Sequence, residues 1–205
     1  MSVEMFKMDC INYMASVDDN YFDIAVVDPP YGIKRFKSGG SFVNRNGDSP
    51  GLWNNNKPTV EYFKELFRVS KVQIIWGANN FSLPESEYFL IWDKAMTGKH
   101  DFAECEMAWV GGDLKKPAKI FRLAAQSTGE IKIHPTQKPV KLYEWIFLNY
   151  STPGDRVLDT HMGSGSSAIA ANNFNLDFVG CELDEKYFMG AKERFSLETS
   201  QKEMF

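Results

Sequence analysis

Apolar positions recur along the chain with two different periods. Short apolar runs occur at Val3–Met8, Phe22–Val27, Val72–Trp76, Tyr88–Trp92, Cys105–Val110, Lys119–Leu123, Arg156–Asp159 and Asp177–Cys181. Runs of this length, rich in β-branched and aromatic residues, predict buried strands. Between them the spacing becomes helical. Val60, Phe63, Leu66 and Phe67 share a face behind Pro58, and Leu142, Trp145, Ile146 and Asn149 do so behind Pro139. A short helix is predicted over Cys10–Val17, a small-residue helix ending near Phe174, and an amphipathic helix capped by Asp184. Strands alternating with helices predict an α/β fold: a Rossmann-like, mostly parallel sheet with helices on both faces.

The 205 residues fit one domain, 1–205. A polar, glycine-rich stretch at 37–57 is long for a connection and predicts a mobile loop or lid. Cys10, Cys105 and Cys181 are odd in number and far apart, and there is no CxxC pair or His cluster. Neither a disulfide framework nor a metal site is therefore expected. The N-terminus lacks a basic segment followed by an apolar run, and no 18-residue apolar stretch exists, so neither a signal peptide nor membrane association is expected. The expected location is the cytoplasm.

The net charge of −4 at first disfavours a nucleic-acid partner, but its distribution changes the picture. Residues 31–138 hold 16 Lys and Arg against 11 Asp and Glu, and the acidic excess lies outside them. Lys34, Arg35, Lys37 and Arg45 form one basic group; Lys115, Lys116, Lys119 and Arg122 form another. Both are candidates for phosphate contacts, with a solvated face as the alternative.

Three constellations carry chemistry. The strand at 156–159 ends in Asp159 and runs through Thr160-His161-Met162 into Gly163-Ser164-Gly165, where glycines allow close approach of a ligand to backbone and a helix N-terminus. Glu182, ending the next strand, suits ribose hydroxyls. Asp28-Pro29-Pro30-Tyr31 follows an apolar strand directly. Two prolines bring no N–H donor, so an aspartate and a free carbonyl stand as paired acceptors beside an aromatic face. That set suits an amino group on a flat ring.

Asp28-Pro29-Pro30-Tyr31 resembles the catalytic motif of the amino-group DNA methyltransferases, and Asp159 with Gly163-Ser164-Gly165 resembles their cofactor motif. His134-Pro135-Thr136-Gln137-Lys138-Pro139 resembles the segment preceding that cofactor strand. The order, catalytic motif first, is similar to that of the β class of N6-adenine and N4-cytosine enzymes, a circular permutation of the class I methyltransferase fold. The resemblance implies S-adenosylmethionine as cofactor and DNA as partner, with adenine N6 favoured because the N4 enzymes more often carry Ser where Asp28 stands. It implies that Asp28 and the Pro29 carbonyl accept the target amino group and that Tyr31 stacks on a flipped base. Asp159 would face the cofactor's amino group, Gly163, Ser164 and Gly165 would form the turn beneath it, and Glu182 would bind ribose. Asp9 with Cys10 would approach the cofactor adenine, and His134 and Lys138 the cofactor carboxylate or ribose. DNA recognition would fall to loop 37–57 and an insertion at 94–132, aided by a homodimer or a separate recognition partner. The family usually has Pro-Phe where this chain has Thr160-His161, and His161 is expected to be a satisfied core histidine. An N4-cytosine enzyme, an RNA amino-methyltransferase and a non-catalytic subunit remain as alternatives. A nicotinamide dehydrogenase is disfavoured because Ala168 interrupts GxGxxG.

Overall fold

The computed structural model describes residues 1–32, 57–96, 103–114, 116–124 and 129–200. Most of the predicted loop 37–57, part of the 94–132 insertion, and Lys34, Arg35, Lys37, Arg45 and Lys115 lie outside the described residues.

In chain order the elements are β1 (Val3–Lys7), α1 (Cys10–Met14), β2 (Phe22–Val27), α2 (Val60–Val69), β3 (Ser70–Trp76), β4 (Tyr88–Asp93), β5 (Cys105–Gly112), β6 (Lys119–Arg122), α3 (Val140–Tyr150), β7 (Arg156–Asp159), α4 (Ser166–Asn173), β8 (Asp177–Glu182) and α5 (Glu185–Ser200). The strands form one sheet in the order β1-β8-β7-β2-β3-β5-β4-β6. Only β5 runs against its neighbours.

Each face of the sheet is buried under helices. On one, Ile24, Val26, Ile74, Trp76, Val157 and Phe178 pack with Leu142, Ile146 and Phe147 of α3 and the alanines of α4. On the other, Ala25, Val27, Ile75, Leu158 and Val179 pack with Met14, Tyr62, Leu66 and Val69 from α1 and α2. Burial on both faces explains why β2 and β3 read as continuous apolar runs rather than alternating ones.

Local chemistry fixes the helix ends. Asp9 caps α1 by accepting from the Ile11 N–H at 2.8 Å, and Thr59 caps α2 through the Tyr62 N–H at 3.3 Å. Asp184 does the same for α5 through Lys186 and Tyr187. Pro139 has no capping oxygen, so Glu130 accepts the Val140 N–H at 3.0 Å from ten residues upstream.

Candidate active site

The parallel strands end on one edge of the sheet. From neighbouring strands β7 and β2 the chain departs in opposite directions across the sheet, to β8 and to β3. Such a reversal opens a crevice at the strands' carboxyl ends. Here it is a cleft of about 700 Å³. Asp9, Cys10, Asp28, Pro29, Pro30, Tyr31, His134, Lys138, Gly163, Ser164 and Glu182, separated by up to 173 positions in sequence, all line it.

One wall is built from β7, its turn and β8. Gly163 and Gly165 adopt positive φ, +50° and +74°, which lets the chain turn sharply into α4. Asp159 is 1% exposed and sits behind this wall, accepting from Ser167 Oγ at 2.6 Å and the His161 N–H at 3.0 Å. Burial pushes its carboxyl up to about 7, against those two hydrogen bonds, with Asp28 and Glu182 adding to the rise. Glu182 accepts the N–H of Gly163 at 3.0 Å and of Asp184 at 2.9 Å, and burial raises its pKa too. Among the described residues neither carboxylate has a Lys or Arg ion pair. Burial lowers His134 to about 4, aided by Lys138, and lowers His161 to about 4, so both rings are neutral near pH 7. His161 is satisfied, as expected, through Thr160 Oγ1 at 2.9 Å, yet its ring also borders the cleft.

The opposite wall is held by side-chain charges. Tyr31 OH donates to Asp28 Oδ1 at 2.5 Å, and the Lys138 ammonium ion-pairs with Asp28 Oδ2. Lys138 also lies 3.3 Å from Tyr31 OH and 3.1 Å from Glu106 Oε2, and Glu106 Oε1 meets Lys94 at 2.8 Å. Burial alone would lower the Lys138 pKa, but Asp28 and Glu106 outweigh it and hold it well above the usual lysine value. Burial alone would raise Glu106, but Lys138 and Lys94 bring it down to about 2. Lys138, expected on the cofactor carboxylate or ribose, thus sits between two of the protein's own carboxylates.

Glu106, Lys94, Gly77 and Arg194 were not singled out from the sequence. Glu106 carried a signal, an acidic residue inside an otherwise apolar strand, a position that charged residues occupy only when paired. Gly77 has φ +71°, and an added Cβ would stand 2.1 Å from the Tyr31 ring, so glycine there makes room for Tyr31. Arg194 reaches from α5 to the Ser164 carbonyl at 3.1 Å, Ser166 Oγ at 2.8 Å and Glu130 at 2.6 Å, tying the glycine turn to the segment before α3.

The described basic residues, Lys116, Lys119 and Arg122, do not gather. Arg122 ends β6 on the same edge of the sheet as the cleft and pairs with Asp93 at 2.7 Å. Lys119 begins that strand, and Lys116 contacts the Asn149 carbonyl and the Tyr150 ring at the far end of α3, toward the opposite edge.

Asp9, Asp28, Glu106, Glu182 and Asp184 line the cleft, and Lys138 is the only Lys or Arg among its described lining residues. That surplus fits a ligand bearing an ammonium and a sulfonium and would repel a dinucleotide's diphosphate. No group of three or more His, Cys, Asp or Glu among the described residues is placed to hold a metal, and no described helix is long and apolar enough to cross a membrane.

A doubly wound sheet whose crevice joins a glycine turn and unneutralised carboxylates to an Asp-Pro-Pro-Tyr strand exit defines a methyltransferase of the class I fold. The DNA methylase family profile, of the N6/N4 type, matches residues 87–193, and the chain belongs to that family, which uses S-adenosylmethionine. The chain is 42% identical over 243 aligned positions to the type II methyltransferase M.HpaI of Haemophilus parainfluenzae, covering 97% of this chain and 76% of that protein. It is 25% identical to the type II methyltransferase M.BglII of Bacillus subtilis, covering 90% of this chain and 66% of the relative. The fold matches M1.HpyAVI in complex with S-adenosylmethionine (TM-score 0.62, 21% identity, 94% of this chain and 100% of that one). It also matches the cytosine-N4-specific PvuII DNA methyltransferase (TM-score 0.66, 13% identity, 98% and 91%).

Proposed function

We propose that the protein transfers a methyl group from S-adenosylmethionine to N6 of an adenine turned out of DNA. The observation that carries this reading is the Asp28 carboxylate, half-buried at the cleft wall directly before two prolines that offer no competing N–H. Asp at this position, rather than Ser, favours adenine over cytosine.

When bound, the cofactor supplies an electrophilic methyl group on a sulfonium sulfur. Glu182 and the Gly163–Gly165 turn would hold it on one side of the cleft, with Asp159 supplying negative charge from behind. Asp28 and the Pro29 carbonyl accept the two N–H bonds of the target amino group. Those bonds favour a pyramidal nitrogen, aim its lone pair across the cleft, and stabilise the positive charge it gains as the N–C bond forms. The methylated nitrogen then sheds one proton, so Asp28 need not act as a strong base. A base inside a duplex cannot reach the cleft, so flipping is implied, at a cost of a few kcal/mol.

The test is methyl transfer from labelled S-adenosylmethionine to unmethylated DNA, with nucleoside analysis of the product. N6-methyladenine is expected. N4-methylcytosine moves the target and keeps the residue roles. Transfer to RNA alone, or none despite tight cofactor binding, overturns the proposal.

A further inference from the structure

Both oxygens of Asp28 already accept a donor. Tyr31 OH occupies Oδ1 and the Lys138 ammonium occupies Oδ2. Each oxygen keeps a second lone pair, but a carboxylate held by a buried ammonium is a weakened acceptor, so a base N–H gains most when one of these donors withdraws. Tyr31 has little room to do so, since its ring is packed against Gly77 and edge-on to Phe81 at 6.0 Å between centroids. That leaves Lys138. Its side chain is 3% exposed, and a buried ammonium without a counter-charge is strongly unfavourable, so it needs another carboxylate within reach.

Glu106 supplies one. Its Oε1 is engaged by Lys94 at 2.8 Å. Its Oε2 is fully buried and ion-pairs with Lys138 Nζ at 3.1 Å, a contact without well-directed hydrogen-bond geometry. Lys138 therefore already bridges the two carboxylates, with its contact to Glu106 the less well directed of the pair. A buried acceptor so placed can serve as a second resting place for the ammonium, because buried acceptors are normally satisfied in full. Lys94 completes the balance: two ammonium groups face two carboxylates, so the cluster stays neutral whichever carboxylate Lys138 favours.

We propose that Glu106 is a positioning residue that takes the Lys138 ammonium from Asp28 when a target base arrives, freeing Asp28 Oδ2 for the amino group. In the resting protein Lys138 stands in for that amino group and keeps the Asp28 carboxylate compensated. The exchange moves hydrogen bonds only; no covalent bond forms or breaks and no proton changes owner. Glu106 acts through Lys138 and touches neither the base nor the methyl group.

The inference rests on the proposed function, and its test separates the two. Single-turnover methyl transfer at saturating cofactor and DNA is measured for the wild type, Glu106→Gln, Lys138→Met and the double variant, with cofactor affinity and thermal melting followed alongside. A wild type that methylates cytosine overturns the adenine reading, and the four-variant cycle is then scored on cytosine. Glu106→Gln is expected to slow transfer about 10- to 100-fold with cofactor affinity within twofold, because Lys138 stays on Asp28. In the Lys138→Met background the same substitution is expected to change the rate by less than about threefold, since no ammonium remains to receive. A wild-type rate in Glu106→Gln overturns the inference. So does an equal loss in both backgrounds, the signature of a merely structural carboxylate. If Glu106→Gln does not melt cooperatively, the cycle is run with Glu106→Asp and decided by the same coupling: a loss confined to the Lys138 background supports the inference, and an equal loss overturns it.

Discussion

The two walls of the cleft are held in place by opposite means. On the β7–β8 wall, Asp159 and Glu182 are satisfied by backbone N–H groups and a serine from within a few residues of the turn they support. Their negative charge is left uncompensated, as an attraction for a cationic ligand. On the β2 wall, Asp28, Lys138, Glu106 and Lys94 satisfy one another across as many as 110 positions of sequence, and their charges cancel. Backbone donors are fixed by the fold and cannot retreat, so the first wall is a preformed mould. Side-chain ion pairs can exchange partners, so the second can rearrange without leaving a charge exposed. Holding a cofactor calls for the former; admitting a base calls for the latter.

If the walls are separable in this way, damage to one spares the other. The largest effect is expected for Asp28→Ala. If Asp28 is the acceptor for the reacting nitrogen, its loss lowers the transfer rate about 10²- to 10³-fold, while the cofactor dissociation constant stays within twofold in a calorimetric titration. A matching loss of cofactor affinity would show that the two walls work as one unit. Glu182→Ala is the reciprocal experiment. Removing charge-assisted hydrogen bonds worth about 1.5–3 kcal/mol weakens cofactor binding roughly 10- to 100-fold. The rate at saturating cofactor changes only a few-fold, as a comparison of Kd with single-turnover rate will register.

The same contrast explains what was legible in the sequence. Asp159 to Gly165 and Asp28 to Tyr31 are contiguous motifs at strand exits, and each strand was marked by its own apolar run. The predicted strands therefore match the observed ones to within about two residues, and the motif residues other than Asp159 and Gly165, which do not line it, meet in one cleft because parallel strands end on one edge. The motif marks Lys138 but not its destination, because the identity of an ion-pair partner more than a hundred residues away is set by topology. Nothing local in the sequence ties Glu106 to the site, because it lies in β5, whose antiparallel direction brings its first residues, rather than its last, to the cleft. Arg194 was hidden in an amphipathic helix where an arginine ordinarily faces water, whereas here it is 6% exposed.

Titration sharpens the comparison further. Asp159 holds its proton to about pH 7 in the folded protein, against 3.8 as its ordinary value. More protons are bound in the folded than in the unfolded state between those values. Its contribution to stability is therefore full below about pH 4 and lost as pH rises through about 7. Cofactor binding runs the other way, because a cationic ligand favours the ionised carboxylate. Affinity is expected to rise about tenfold from pH 6 to pH 8 and to level off above. In Asp159→Asn, which keeps the oxygen facing His161 N–H, the rise flattens. An unchanged pH dependence in that variant would place the titrating group elsewhere.

The smallest effects separate the two edges of the sheet rather than the two walls. Arg122 and Lys116 belong to one basic run in the sequence, but β6 carries the first toward the cleft and leaves the second at the far end of α3. The Arg122–Asp93 pair is open to solvent, so Arg122→Ala should leave stability nearly unchanged. Its charge matters only if DNA passes over the cleft edge. In that case the slope of log affinity for DNA against log salt falls by about one in Arg122→Ala and is unaffected in Lys116→Ala. The reverse pattern would put the phosphate backbone along the opposite edge, out of reach of Asp28. A base could not then enter the cleft from that track, and the assignment of the β2 wall to the amino group would fail with it.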